Sequence, residues 1–151
     1  PGEVWAMVDS GSGVDGFQAS EFASNVPLSD SAERTVCITA NGDEMVADKE
    51  ALCSVELDGQ PMDIPFKDLP LTMPILSMRR HIHRGHSCRI QNGVGYFRNL
   101  VTRKKSRFVE KDGVYFIKMR VNGPSDKLTA VAKGNGDGIR SAGFTRPGAA
   151  R

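Results

Sequence analysis

Three dipeptides, Asn41-Gly42, Asp58-Gly59 and Asp112-Gly113, each stand between two runs rich in apolar and β-branched residues. Asn-Gly and Asp-Gly favour hairpin turns because both central residues of a primed turn need a positive φ. Residues 35–40 and 44–47 flank the first signal, 51–57 and 60–66 the second, and 107–110 and 114–121 the third. A chain punctuated in this way is committed to antiparallel sheet. Pro61 and Pro65 lie on the return run of the second hairpin, and proline cannot donate to a ladder, so that strand is expected at an edge. Further strands are expected over 86–91 and 96–100.

The chain opens on Val4-Trp5-Ala6-Met7-Val8, an apolar run read as a buried strand, which ends in Asp9-Ser10-Gly11-Ser12-Gly13. There the glycines permit a tight turn and leave a carboxylate at the strand's mouth. Residues 19–23 suggest one helical turn, residues 29–31 a loop, and residues 75–84 the best helix in the chain. Pro74 sits where a helix can start, Ile75, Met78 and Ile82 share a face, and Gly85 can cap the end. The fold class expected is all-β, with that short helix as its main exception.

The 151 residues amount to one domain with a core of its own. Three cysteines, an odd number without paired spacing, argue against a disulfide scaffold and for a reducing compartment, cytoplasmic or inside an organelle. No apolar stretch reaches the ~20 residues that cross a bilayer, so a soluble protein without a membrane span is expected. A chain that begins at Pro1 is expected to be processed or cut from something longer, any targeting peptide being already removed. The net charge of +2 hides an asymmetry: residues 122–151 supply +3 and residues 1–121 sum to −1. Periodicity stops at Asn122, and the rest reads as a Gly/Pro-rich basic tail or linker. The expected division is therefore a β domain over 1–121 and a tail over 122–151.

The order of these features is what resembles a known family. Trp5 to Gly11 gives a Trp-x-x-x-Asp-Ser-Gly pattern, Ala40-Asn41-Gly42 an Ala-x-Gly hairpin tip, and Ile75-Leu76-Ser77-Met78 a Leu-Ser-Met helix start. Residues 85–90 and the Gly113-Val114-Tyr115 hairpin follow in the expected places. Together they resemble the retropepsin-like aspartic protease domain of copia-type retrotransposon polyproteins, over roughly residues 4–121 with the core match in 4–91. The resemblance implies an acid-protease β-barrel with an additional C-terminal β-meander and an extended tail. It also implies a homodimer that hydrolyses peptide bonds through one Asp9 from each copy, with no cofactor and no metal. Ser10 would then steady the pair across the interface, Gly11 would let the two backbones approach, and Ala40, Asn41 and Gly42 would close over an extended peptide as a flap.

Only eight residues precede Asp9 and about sixty follow the last shared strand, whereas retroviral-type proteases build their dimer sheet from both termini. A second expectation therefore stands beside the first. In it the chain is a domesticated, non-catalytic subunit or assembly factor of a larger complex, held through residues 122–151. A third is nucleic-acid binding by the run 98–111, which holds six basic residues and one acid beside Tyr96 and Phe97. That run is expected instead to be a solvated hairpin loop, because one basic loop on a near-neutral body makes no sustained stripe. His81, His83, His86 and Cys88 are metal-ligating types. His81 and His83 point apart on a helix, however, so the basic helix residues are expected to cover its exposed side and to complement its C-terminal dipole. Trp5, Phe17, Phe22, Phe66, Tyr115 and Phe116 are expected in the core, with the cysteines as small buried hydrophobes.

Overall fold

A computed structural model describes residues 2–38 and 41–128, apart from the side chains of 32 and 33. Ala40 of the expected flap and residues 129–151 of the expected tail lie outside the described residues. The chain is mainly β. Ten strands run in the order β1 Val4–Asp9, β2 Gly16–Phe17, β3 Leu28–Ile38, β4 Glu44–Leu57, β5 Gln60–Asp68, β6 Ile75–Ser77, β7 His86–Gln91, β8 Val94–Asn99, β9 Lys105–Lys111 and β10 Val114–Pro124. Two short helices, α1 Ala19–Phe22 and α2 Met78–His83, interrupt them.

All ten strands share one sheet in the order β3-β4-β5-β2-β6-β1-β10-β9-β8-β7, and a further pairing joins β4 to β10. That pairing returns the sheet on itself, so β4, β5, β2, β6, β1 and β10 form a closed circuit, with β9, β8 and β7 carried outward from β10. The alternation of each strand sets which side is filled. Ala6 and Val8 of β1, Val55 and Leu57 of β4, Ile64 and Phe66 of β5, Leu76 of β6, and Ile117 and Met119 of β10 are all buried in one cluster. Phe17 stacks on Phe66 with ring centroids 4.1 Å apart. Phe97 and Phe108 extend the same core beneath the outer meander. Two of the aromatics expected inside are exceptions: Trp5 is 45% exposed because it holds an outward position of β1, and Phe116, opposite Met7, takes the half-buried outward alternation of β10.

The expected hairpins at Asp58-Gly59 and Asp112-Gly113 form with positive φ at both residues, 49° and 81° in the first and 53° and 81° in the second. Asn92-Gly93 makes a third turn of the same kind between β7 and β8. At Asn41-Gly42 the outcome is different. The last ladder pair is Ile38 with Glu44, so Asn41 and Gly42 are not the two central residues of a two-residue hairpin turn. Pro61 and Pro65 lie where β5 has β4 alone as partner, since β2 joins β5 only at Lys67 and Asp68.

Four boundaries depart from the sequence reading. Residues 44–57 form one strand rather than two, and 29–31 belong to β3 rather than to a loop. The intervening charges are satisfied in place, Lys49 by Asp30 and Glu50 by Lys67, so they do not break the ladder. Residues 75–77 are strand, not helix, because they have a parallel partner in β1 (Met7 with Ile75, Asp9 with Ser77), and the helix starts only after Ser77. The Pro74 carbonyl accepts the Met7 N–H. Finally, β10 continues past residue 121 to Pro124, through a register shift at Gly123, and the Ser125 N–H donates to the Leu52 carbonyl.

Candidate active site around the Asp9 turn

β1 ends where its neighbour β6 ends, so Asp9 stands opposite Ser77 at the edge of the sheet circuit. Asp9 is half-buried, while Ser10 and Gly11 are exposed. The Gly11 N–H donates to Asp9 Oδ1 at 2.8 Å, which fixes the carboxylate from its own turn and leaves Oδ2 without such a donor in the same turn. The turn then folds down into the protein. The Ser12 hydroxyl donates to the Val14 carbonyl, and the Ser77 hydroxyl donates to the Ser12 carbonyl at 2.7 Å.

Beneath it lies a residue that the sequence reading did not single out. The Asp15 side chain is wholly buried. Its Oδ1 accepts the Ser77 N–H at 2.7 Å, and its Oδ2 accepts from the Arg84 guanidinium, with Arg80 Nε 3.8 Å away. Arg80 also donates to the Gly13 carbonyl. Arg80 on α2 and Arg84, the residue that caps its C-terminus, are four apart and so reach the same place, and the Ser77 hydroxyl caps the helix by accepting the Arg80 N–H. Burying a carboxylate is costly unless it is paired and hydrogen-bonded, and this one is both. The only sequence signal was an acid in a Gly-flanked loop followed by an arginine pair at helical spacing.

This corrects the reading of α2 as a basic cover. Two of its arginines point into the protein to hold the turn, Ile82 is 46% exposed, and His81 is 1% exposed. His81 packs on Phe97 (centroids 4.1 Å) and against His86 (4.4 Å). Burial first, then the charge of Arg84 and the neighbouring His86, lowers its pKa to about 2, so the ring is neutral. Among the described residues no three His, Cys, Asp or Glu side chains come together in a metal-holding group. His81 and His86 also line a small pocket of about 120 Å³ between α2, β5 and the 99–106 segment, on the core side of the meander.

The β3–β4 hairpin stands beside the acidic turn. Cys37, Met45 and Ala47 pack with Val14, Leu69 and Leu71 in a second, smaller cluster, so the hairpin base rests on the turn's own residue Val14. Asn41 and Gly42 are exposed at its end. The structure thus brings together Asp9, Ser10, Gly11 and the root of the hairpin, with Asn41 and Gly42 exposed at the hairpin's far end. No helix among the described residues is long and apolar enough to cross a membrane. No protein-family model, curated protein or solved structure matches this chain.

Proposed function

We propose that the chain is a retropepsin-like, retroelement-derived aspartic peptidase domain that acts as a homodimer, each copy supplying one Asp9. The observation that carries this reading is the Asp9 turn: a half-exposed carboxylate held by the Gly11 amide at 2.8 Å, on a buried Ser77–Asp15–Arg84 support. A support of that kind fixes a group far more tightly than an exposed surface acid needs. The closed strand circuit and the hairpin rooted on Val14 also support it.

The chemistry follows from two carboxylates brought close. They cannot both ionise cheaply and so share one proton. The ionised member takes a proton from a bound water as that water attacks the scissile carbonyl. The protonated member donates to the carbonyl oxygen, and the proton taken from the water then passes to the leaving amine. The pair titrates as a unit, which gives a bell-shaped pH profile. Asn41 and Gly42 would close over the bound strand as a lid.

The test is cleavage of a mixed peptide pool at mildly acidic pH, with sedimentation of the same samples. The reading expects a dimer whose cleavage is abolished by Asp9→Asn and blocked by a pepsin-type transition-state mimic. Cleavage that survives Asp9→Asn overturns it. A monomer inactive at every concentration also overturns it, and leaves the non-catalytic subunit as the better account.

A further inference from the structure

The strand register gathers the basic residues onto one face, which the linear sequence hides. In β7, β8 and β9 the outward positions pair as Arg89 with Tyr96, Tyr96 with Arg107, and Arg98 with Lys105. The other face of the same strands carries Cys88, Phe97 and Phe108, which belong to the core. Outward positions of these three strands therefore hold Arg89, Arg98, Lys105, Arg107 and Lys111 and no acid, while Glu110 belongs to the opposite alternation. The next strand continues the pattern. Lys118 and Arg120 of β10 are exposed, and Lys118 pairs with Trp5 of β1. Arg103 and Lys104 stand in the exposed turn over 100–104, as expected, whereas Arg98, Lys105, Arg107 and Lys111 of the same run are strand residues.

The face also carries rings. Lys105 Nζ stands 4.5 Å from the centroid of Tyr96, and Lys118 Nζ 5.7 Å from that of Trp5. A tryptophan 45% exposed on the surface of a sheet is a large apolar area left uncovered. Among the described residues, the acids bordering this face are Glu3, two positions before Trp5, Asp58, whose carboxylate accepts the Arg107 N–H at 2.8 Å, Glu56 opposite Arg120, Asp112 in the turn between β9 and β10, and Asp9 at the far end of β1. From β7 to β1 the face spans four strand spacings, about 19 Å.

We propose that this face binds single-stranded nucleic acid, with phosphates on Arg89, Arg107 and Lys118 and a base stacked on Trp5. The inference does not depend on Asp9 acting as a peptidase. Phosphodiester charge accounts for the segregation of cations on a body that is nearly neutral overall. The exposed rings account for single strands, whose unstacked bases offer π-faces that a duplex does not. An acidic polypeptide supplies the charge but nothing for the tryptophan.

Trp5 is the only tryptophan in the chain, so its fluorescence reports on this face alone. The experiment titrates the protein with labelled oligouridylate and oligothymidylate, reading anisotropy and tryptophan emission, with polyglutamate as the control polyanion. Expected are binding with quenched emission, little effect of polyglutamate on emission, and affinity that falls with salt by a log–log slope of about −2 for three phosphate contacts. Arg107→Ala with Lys118→Ala reduces that slope by about 1.4, and Trp5→Ala weakens binding on the order of tenfold. These side chains are exposed, and circular dichroism checks that the variants keep the sheet. A stronger response to one oligomer than to the other identifies ribose or deoxyribose strands as the ligand. No binding at low salt, an unchanged slope in the double variant, or polyglutamate matching both affinity and quenching each overturns the proposal.

Discussion

The Ser77 amide and the Asp15 carboxylate, 62 residues apart in the chain, meet at 2.7 Å in the protein interior. That bond ties the loop after β1 to the junction of β6 and α2, and the Arg84 guanidinium closes the tie from the last turn of the helix. The position of Asp9 is thus set by groups that never reach its surface. Asp15→Ala leaves two partly buried guanidinium groups without their carboxylate and a buried amide without its acceptor. Breaking a buried pair from one side costs about 3–5 kcal/mol. Asp15→Asn retains an acceptor for the Ser77 amide and loses only the charge, so its cost is expected to be smaller. Urea denaturation of the two variants beside the parent measures both, and equal stabilities would show that the network does not hold the turn.

Gly95 tests the register of the meander. It pairs with Phe108, and a Cβ added at Gly95 would lie 1.9 Å from that ring. The ring is part of the core and has no free side to move to. Gly95→Ala is therefore expected to destabilise by about 1–3 kcal/mol through overpacking. Phe108→Leu in the same chain, which removes the ring atoms in the way, should recover part of the loss in a thermal melt. A Gly95→Ala protein as stable as the parent would mean that the strands pair in another register.

What was legible in the sequence was local. Asp58-Gly59 and Asp112-Gly113 specify their turns by their own φ requirements, and their flanking strands followed. The Asp9 turn was legible because an apolar run ending in Asp-Ser-Gly is a contiguous signal. Residues 75–77 were misread because helical spacing at Ile75 and Met78 is satisfied on paper, whereas a parallel partner sixty-odd residues earlier decides the matter. Asp15 was missed for the same reason, since its partners come from another part of the chain. The run 98–111 reads as a loop, although only its 100–104 segment is one, because a linear count cannot see that Arg89, Tyr96 and Arg107 are neighbours. Only the register places them in one row.

The cysteines separate by burial. Cys53 is fully buried in the core and Cys37 and Cys88 are half-buried, and none forms a disulfide. Burial pushes the Cys53 thiol up to about 12, and raises the other two in the same direction. Thiolate is the reactive form, so Cys53 is inert while the fold is intact. Labelling with a chromogenic disulfide at mildly alkaline pH should modify Cys37 and Cys88 first and Cys53 only at the rate of unfolding. Rapid modification of Cys53 in the native protein, located by peptide mapping, would contradict its place between Val55 and Ala51 in the β4 core.

His81 makes stability depend on pH in a direction that can be worked out. Its folded pKa of about 2 lies far below the ordinary 6.5, so between these values the unfolded chain binds a proton that the native protein refuses. The unfolded state therefore gains with acid. The contribution is fully present above pH 6.5 and is lost as pH falls from there toward 2, at about 1.4 kcal/mol per unit once well below 6.5. His86 is shifted the same way and adds to the slope, so the comparison must isolate one ring. His81→Phe keeps an aromatic against Phe97 and cannot titrate, and His81→Gln serves if the larger ring does not fit. Unfolding free energies measured from pH 6.5 down to about 5 should fall more steeply for the parent than for the variant, the gap reaching about 1–2 kcal/mol at the acid end. Parallel profiles would mean that His81 titrates as an exposed histidine does, and that its place between Phe97 and His86 is wrong.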